Sequence, residues 1–385
     1  MYAQESPLHG RLSRLVAALA VAGLALVGCA PAGDEASASP RWHDASSAPS
    51  PRASAAPSPS SKAAPQTISL SATGDIVMGN APNRLPSGGG KGFFNGVKAA
   101  LAADLVMGNL EEPLTEDTGH RKCAPKSTGC HQFRAPPSYA AHLRAGGFEL
   151  MNQANNHGND YGPAGYTNTQ KALEEHGLAH TGARGEITVV DVEGIKVAAV
   201  GFSSYSLNNN LTDIPAGKRL VAEAAKKADL VVVQVHMGGE GSGKTRVKPG
   251  TEMFLGENRG DPIKFSHAMI DAGADLIVGH GPHVMRAVEF YKGRLIAYSL
   301  GNFAGGGGTL SRGGPLGLGA VLKVSLAADG SWGGGQLIST YMNAAGKPVT
   351  DGDRKGLALV NDVTGKDFPE TGAAFDKAGK ITPPD

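Results

Sequence analysis

The sequence predicts an α/β domain whose functional residues gather where its strands end. Three observations predict it. Short strand-like segments recur at residues 67–73, 105–107, 148–151, 230–235 and 276–278, each is followed closely by polar residues able to bind metal, and helical segments lie between them. In open α/β sheets ligands sit outside the carboxyl ends of the strands, so all five polar stops are expected on one rim.

Taken in chain order, residues 1–28 read as a secretion signal. Arg11 and Arg14 precede an apolar and small run over residues 15–27 that ends in Leu26-Val27-Gly28-Cys29. The run falls short of the roughly 20 apolar residues a membrane-spanning helix needs. Gly28-Cys29 resembles a bacterial lipobox, which makes Cys29 the expected lipidated first residue of the mature chain; the alternative is an ordinary signal peptide with an incidental cysteine. Residues 29–65 are dominated by Ser, Ala and Pro. That composition buries too little apolar surface to offset ordering entropy, so a disordered tether is expected. The domain is then expected outside the cytoplasm, held to the membrane by its lipid.

Residues 66–342 form the expected folded domain. The first strand alternates apolar and polar residues and stops at Gly74-Asp75. The second runs into Gly108-Asn109-Leu110-Glu111, and the third into Asn155-Asn156-His157. The fourth stops at His236 and the fifth at Gly279-His280, with His283 just beyond. Helices are expected at 163–176, 216–228 and 263–272; the first has Pro at its start and Gly177 after its end, and the last has Asp261-Pro262 before it and Gly273 behind. After Gly279, segments 286–291, 294–300, 316–326 and 335–341 read as antiparallel strands of a second sheet. Residues 343–385 are polar and rich in Gly, Pro and Asp, and are expected to pack loosely.

Formal net charge is +1 with acids and bases interspersed, which gives no footprint for nucleic acid. Cys123 and Cys130 lie close together in sequence. In an oxidising compartment they close a small loop as a disulfide; the alternative is half of a zinc site with His120 or His131.

The strand ends supply Asp75, Glu111, Asn156, His157, His236, His280 and His283. Imidazole and carboxylate suit zinc, manganese and iron, and a bridging carboxylate lets two cations stand roughly 3.5–4 Å apart. Each residue alone has an ordinary structural explanation, as a turn residue, helix cap or hydrogen-bonded histidine. Their common placement after strands points to a metal-dependent hydrolase. The Gly-rich stretches at 87–92 and 305–308 lack P-loop or dinucleotide spacing; they read as loops over the metal edge, where Lys91, Lys244, Arg246 and Arg312 would meet an anionic substrate.

The segments TGDIVMGN, GNLEEPLT, ANNHGNDYG, GHGPHV and IAYSLGNF resemble, in order and spacing, the bacterial CapA family of capsule and poly-gamma-glutamate synthesis, within the calcineurin-like metallophosphatase superfamily. The resemblance implies a four-layer α/β/β/α sandwich with two divalent metal ions (Mn, Zn or Fe) at one edge. It implies that Asp75 and His283 bind the first metal, that Glu111 bridges, and that Asn156, His236 and His280 bind the second. His157 matches a position acting near the leaving group, with Asp160 orienting it. Two departures stand out: Val77 replaces the superfamily's usual histidine, and Met237 replaces the aromatic residue after His236, where a stacking or lid contact would change. The implied function is a metal-dependent hydrolase or transferase acting through a metal-activated water on a phosphoester or gamma-glutamyl amide of an envelope polymer. The alternative is a non-catalytic anchored subunit that guides an anionic polymer, with other capsule-synthesis subunits as partners.

Overall fold

The computed structural model describes residues 40–45, 66–124 and 126–385. The signal-peptide and Cys29 readings lie outside the described residues. Two sheets carry the fold. The first contains β1 (Arg41–Ala45), β6 (Glu186–Val192), β7 (Ile195–Ser203), β9 (Leu230–His236), β12 (Leu276–His280), β14 (Arg294–Ala297) and β13 (Val288–Tyr291) in that spatial order, with β8 (Asn209–Asn210) beside β7. The second runs β19 (Ala374–Phe375), β20 (Lys380–Thr382), β17 (Trp332–Met342), β16 (Leu318–Ala327), β2 (Thr67–Val77), β3 (Leu105–Leu110), β4 (Leu150–Asn152), β5 (Ala179–Thr181). In it β15 (Asn302–Gly305) pairs with β2 and β18 (Pro348–Thr350) with β17. A separate hairpin joins β10 (Met253–Phe254) to β11 (Glu257–Asn258).

Three apolar clusters make this a four-layer α/β/β/α sandwich. Leu70, Met107 and Leu322 of one sheet meet Val197, Val232 and Val278 of the other in the central core. On the outer face of the first sheet, Val221 of α4 (Ile214–Ala225) and Phe265 and Met269 of α5 (Pro262–Asp271) pack against Val231, Val233 and Ile277. On the outer face of the second, α1 (Lys98–Leu101), α2 (Ala140–Gly146) and α3 (Gly162–Glu175) contribute Leu101, Leu143 and Leu173. Strands covered on both faces bury every residue, which is why β3, β9 and β12 read as nearly continuous apolar runs. Asp213 and Asp261 cap α4 and α5 by accepting from Ala216 N and Lys264 N, both at 3.0 Å.

Four expectations are corrected. The five strands do not share one sheet: β2, β3 and β4 belong to the second and β9 and β12 to the first, so two rims meet instead of one. The antiparallel strands divide likewise, β13 and β14 joining β12 while β16 and β17 join β2. Periodicity defines a strand, but pairing is decided by which buried faces match. The segment after Asn343 is not loose: α6 (Lys355–Asp367) places Leu357, Val360 and Val363 in the apolar cores, and β18 and β20 pair onto β17. Helically spaced apolar residues inside a polar composition account for this. Within the presumed tether, residues 41–45 instead form β1, parallel to β6, with Lys227 Nζ 4.0 Å from the Trp42 ring centre.

Candidate metal centre

The register of two neighbouring strands begins the site. β9 and β12 run parallel with His236 opposite His280, so the two imidazoles leave the same rim side by side. Gly281 permits the turn that follows; its φ is +111°, and a Cβ there would stand 3.0 Å from the His236 ring. That turn carries His283, itself left-handed at φ +59°, a conformation costing a non-glycine residue of order 1 kcal/mol.

The opposite rim supplies carboxylates. A register shift between Ala72 and Asp75 interrupts the β2–β3 ladder, as bulges near sites do, and re-aims Asp75. Gly74 is required there because any Cβ would collide with the Gly301 carbonyl. Asp75 Oδ2 lies 3.1 Å from His283 Nδ1, and its Oδ1 accepts from Asn109 Nδ2 at 2.9 Å and stands 3.6 Å from His280 Nδ1. Glu111 Oε1 is 3.2 Å from His236 Nε2, and its Oε2 is 3.7 Å from His283 Nδ1. Asp75, Glu111 and His283 each offer a donor atom within 4.8 Å of the others.

Burial and charge shift each of these groups. Asp75, Glu111 and His236 are fully buried, and His280 nearly so. Burial, then the charge of Asp75, pushes the Glu111 carboxyl well above its usual range. Burial also raises Asp75, but the hydrogen bond and charge of His283 outweigh it and hold Asp75 low. Burial lowers His280 to about 4, and burial followed by the Arg259 charge lowers His236 well below its ordinary value. Both are neutral imidazoles, the state a metal ligand needs. Burial opposes a charge on His283, yet Glu111, Asp75 and Glu240 raise it to about 10.

The fit to divalent cations rests on orphaned donors. Glu111 Oε2, Asn156 Oδ1, His236 Nδ1 and both His280 nitrogens are buried without a hydrogen-bond partner. Buried polar atoms are normally satisfied, and these belong to residues that neighbour the Asp75–Glu111–His283 group, directly or through Glu240. Asn156 Nδ2 donates to Glu240 Oε1 at 3.3 Å. The residues present therefore suit hard or borderline divalent ions held by oxygen and nitrogen. His157 and Asp160 form a separate pair beside Asn156, with His157 Nδ1 2.7 Å from Asp160 Oδ2. Cys123 and Cys130 are joined as a disulfide, Cα–Cα 5.7 Å, away from any role as zinc ligands.

Other residues complete the site. Asn109 donates to Asp75 and accepts from Asn152 and Asn155, tying three strand ends together. Glu240 reaches 3.6 Å from His283 Nε2 and is paired to Arg259 Nη1 at 2.8 Å. Asn302 Oδ1 lies 2.9 Å from His283 Nδ1. Asn109 and Asn302 sit inside the segments GNLEEPLT and IAYSLGNF, so position in a motif is the signal that could have found them. Arg246 is exposed and its Nε pairs with Asp367. Arg312 Nη1 donates to the Asn343 carbonyl at 3.0 Å, while Lys91 and Lys244 lie exposed. Met237 makes no lid, since it is fully buried in the core under α4 and α5.

Residues 69–306 match the family described as bacterial capsule synthesis protein PGA_cap. The chain is 32% identical over 255 residues to the PGA biosynthesis protein CapA of Bacillus subtilis, covering 61% of this chain and 63% of that protein. It is 34% identical over 261 residues to the capsule biosynthesis protein CapA of Bacillus anthracis, covering 61% and 59%. The chain thus spans about three-fifths of the length of these relatives. Among solved structures, a 5'-nucleotidase precursor from Thermus thermophilus matches with a TM-score of 0.42 and 15% identity, over 77% of this chain and 59% of that one. With its match covering well over half of the sequence, and with its similarity to the CapA proteins of both bacilli, the chain belongs to the bacterial capsule synthesis PGA_cap family.

Proposed function

We propose that this protein is a divalent-metal-dependent hydrolase or transferase acting on a phosphoester or gamma-glutamyl amide of an anionic envelope polymer. The observation that carries the reading is the group of Asp75, Glu111 and His283, whose donor atoms lie within 4.8 Å of one another, flanked by buried, unpartnered donors on Glu111, Asn156, His236 and His280. Asp75, Glu111 and His283 would hold one cation, and Glu111, Asn156, His236 and His280 a second. Bound there, divalent cations supply Lewis acidity to a hydrolytic reaction. The chain's own residues do the rest. Asn109 and Asn302 orient Asp75 and His283, Glu240 turns the Asn156 amide, and His157, fixed by Asp160, gives a proton to the leaving group.

The test is metal content of the purified chain, followed by turnover on bis(p-nitrophenyl) phosphate and on a gamma-glutamyl amide. Stoichiometric metal with turnover on either supports the enzyme. A chain that retains metal yet turns over neither, and binds poly-gamma-glutamate, would favour the non-catalytic polymer-guiding subunit.

The protein is further proposed to work outside the cytoplasm on a lipid anchor at Cys29. The Gly28-Cys29 junction after an apolar run and the Cys123–Cys130 disulfide support this. Cys29→Ser should release the chain from the membrane fraction; unchanged retention and unchanged mass would remove the anchor.

A further inference from the structure

The loop closed by Cys123 and Cys130 has both of its ends on the His157–Asp160 pair. Just before Cys123, Lys122 places Nζ 2.8 Å from Asp160 Oδ1, donates to the Asn156 carbonyl at 2.9 Å and lies 3.5 Å from His157 Nδ1. Just after Cys130, Phe133 donates its backbone N–H to Asp160 Oδ2 at 2.7 Å and sets its ring 4.5 Å from the His157 ring. Cys123 N is also held, donating to Gln132 Oε1 at 3.2 Å. Asp160 is wholly buried, so both of its oxygens need compensation: Oδ2 takes hydrogen bonds from Phe133 and His157, while Oδ1 makes no hydrogen bond and has the Lys122 charge 2.8 Å away.

We propose that Lys122 is a positioning residue, held in register by the disulfide loop, that locks Asp160 and through it the ring of His157. The proposal rests on the reading of His157 as the proton donor to the leaving group. The geometry gives the loop a reason to be cross-linked. The two strands of chain entering it must keep Lys122 and Phe133 on opposite oxygens of one carboxylate. With the crosslink, they move as one unit. Without it, Lys122 is a partly exposed side chain whose rotamer entropy competes with a single ion pair. Because Nδ1 is committed to Asp160, Nε2 is left as the nitrogen for proton transfer, and any rotation of Asp160 turns it away.

The experiment measures carbethoxylation of His157 by diethyl pyrocarbonate, read by peptide mass spectrometry on the full chain. The variants are Lys122→Met, Lys122→Arg and the double variant Cys123→Ser/Cys130→Ser. His180, buried on β5, is the internal control. Metal content and kcat and KM on bis(p-nitrophenyl) phosphate are measured on the same samples. Lys122→Met and the double variant should raise His157 reactivity about tenfold, the scale of losing the charged partner of a buried carboxylate, with His180 unchanged. Lys122→Arg should restore the slow rate, metal content should hold, and kcat should fall with KM unchanged. Unchanged His157 reactivity in both variants overturns the proposal. So does a parallel rise at His180, which marks general loosening, or a loss of metal in step with kcat. If the reactivity contrast holds while the wild-type chain neither binds metal nor turns over the probe, the clamp stands and the hydrolase reading falls.

Discussion

Asp75 and His283 meet across the junction of the two sheets, Oδ2 to Nδ1 at 3.1 Å, although 208 positions separate them in sequence. The contact joins the end of β2 to the turn after β12, so whatever binds these two residues also ties one sheet to the other.

Added Mn²⁺ or Zn²⁺ should therefore raise thermal stability of metal-stripped protein. At a hundredfold excess over Kd the gain is about 2.7 kcal/mol. Differential scanning calorimetry with and without metal checks it; an unmoved transition would argue against binding at the sheet junction.

His236→Ala and His280→Ala should each cost bound metal while leaving secondary structure intact, because both side chains leave a rim and not the apolar core. Elemental analysis beside circular dichroism reads the two effects separately. Wild-type metal content in both variants would show that the ligands lie elsewhere.

His157→Ala should keep metal and fold and lose about 10²- to 10⁴-fold in turnover, the usual contribution of a positioned acid. The loss should shrink with better leaving groups, which depart without a proton. A series of substituted aryl phosphodiesters supplies the comparison, and an equal loss across the series would reject the acid role.

The pH dependence of stability should carry a signature of His180. Burial lowers it, but Glu186 and Glu174, each 3.0 Å from a ring nitrogen, outweigh burial and hold its protonated form above the ordinary value. A group raised in the folded state stabilises fully below its unfolded value, about 6.5, and loses that contribution as pH rises through the folded value. The stability drop between about pH 6 and pH 8 should be smaller in His180→Gln than in wild type, by urea titration at each pH. An identical drop in both proteins would remove His180 from the account.

Much of this protein was legible along the chain. The strand stops before Glu111 and at His236 and His280, the Asp-capped helices and the close spacing of Cys123 and Cys130 are local features, set by periodicity, capping chemistry and loop length, whereas β2 runs past the expected stop at Asp75 to Val77. Which strands pair is not local. That β2 and β12 lie in different sheets follows from the matching of buried faces far apart in sequence, and it turns one expected rim into two facing ones. The same holds for single side chains. Arg246 and Lys122 look alike as exposed cations in a loop, yet the fold gives one to Asp367 and the other to Asp160. Residues 343–385 look polar by composition, yet Leu357, Val360 and Val363 find apolar surface that only the assembled sandwich presents. The chemistry of the donors and the elements that carry them are written locally along the chain. Which donors face one another emerges only on folding, because a long side chain's partner is set by the three-dimensional path of the rest of the chain.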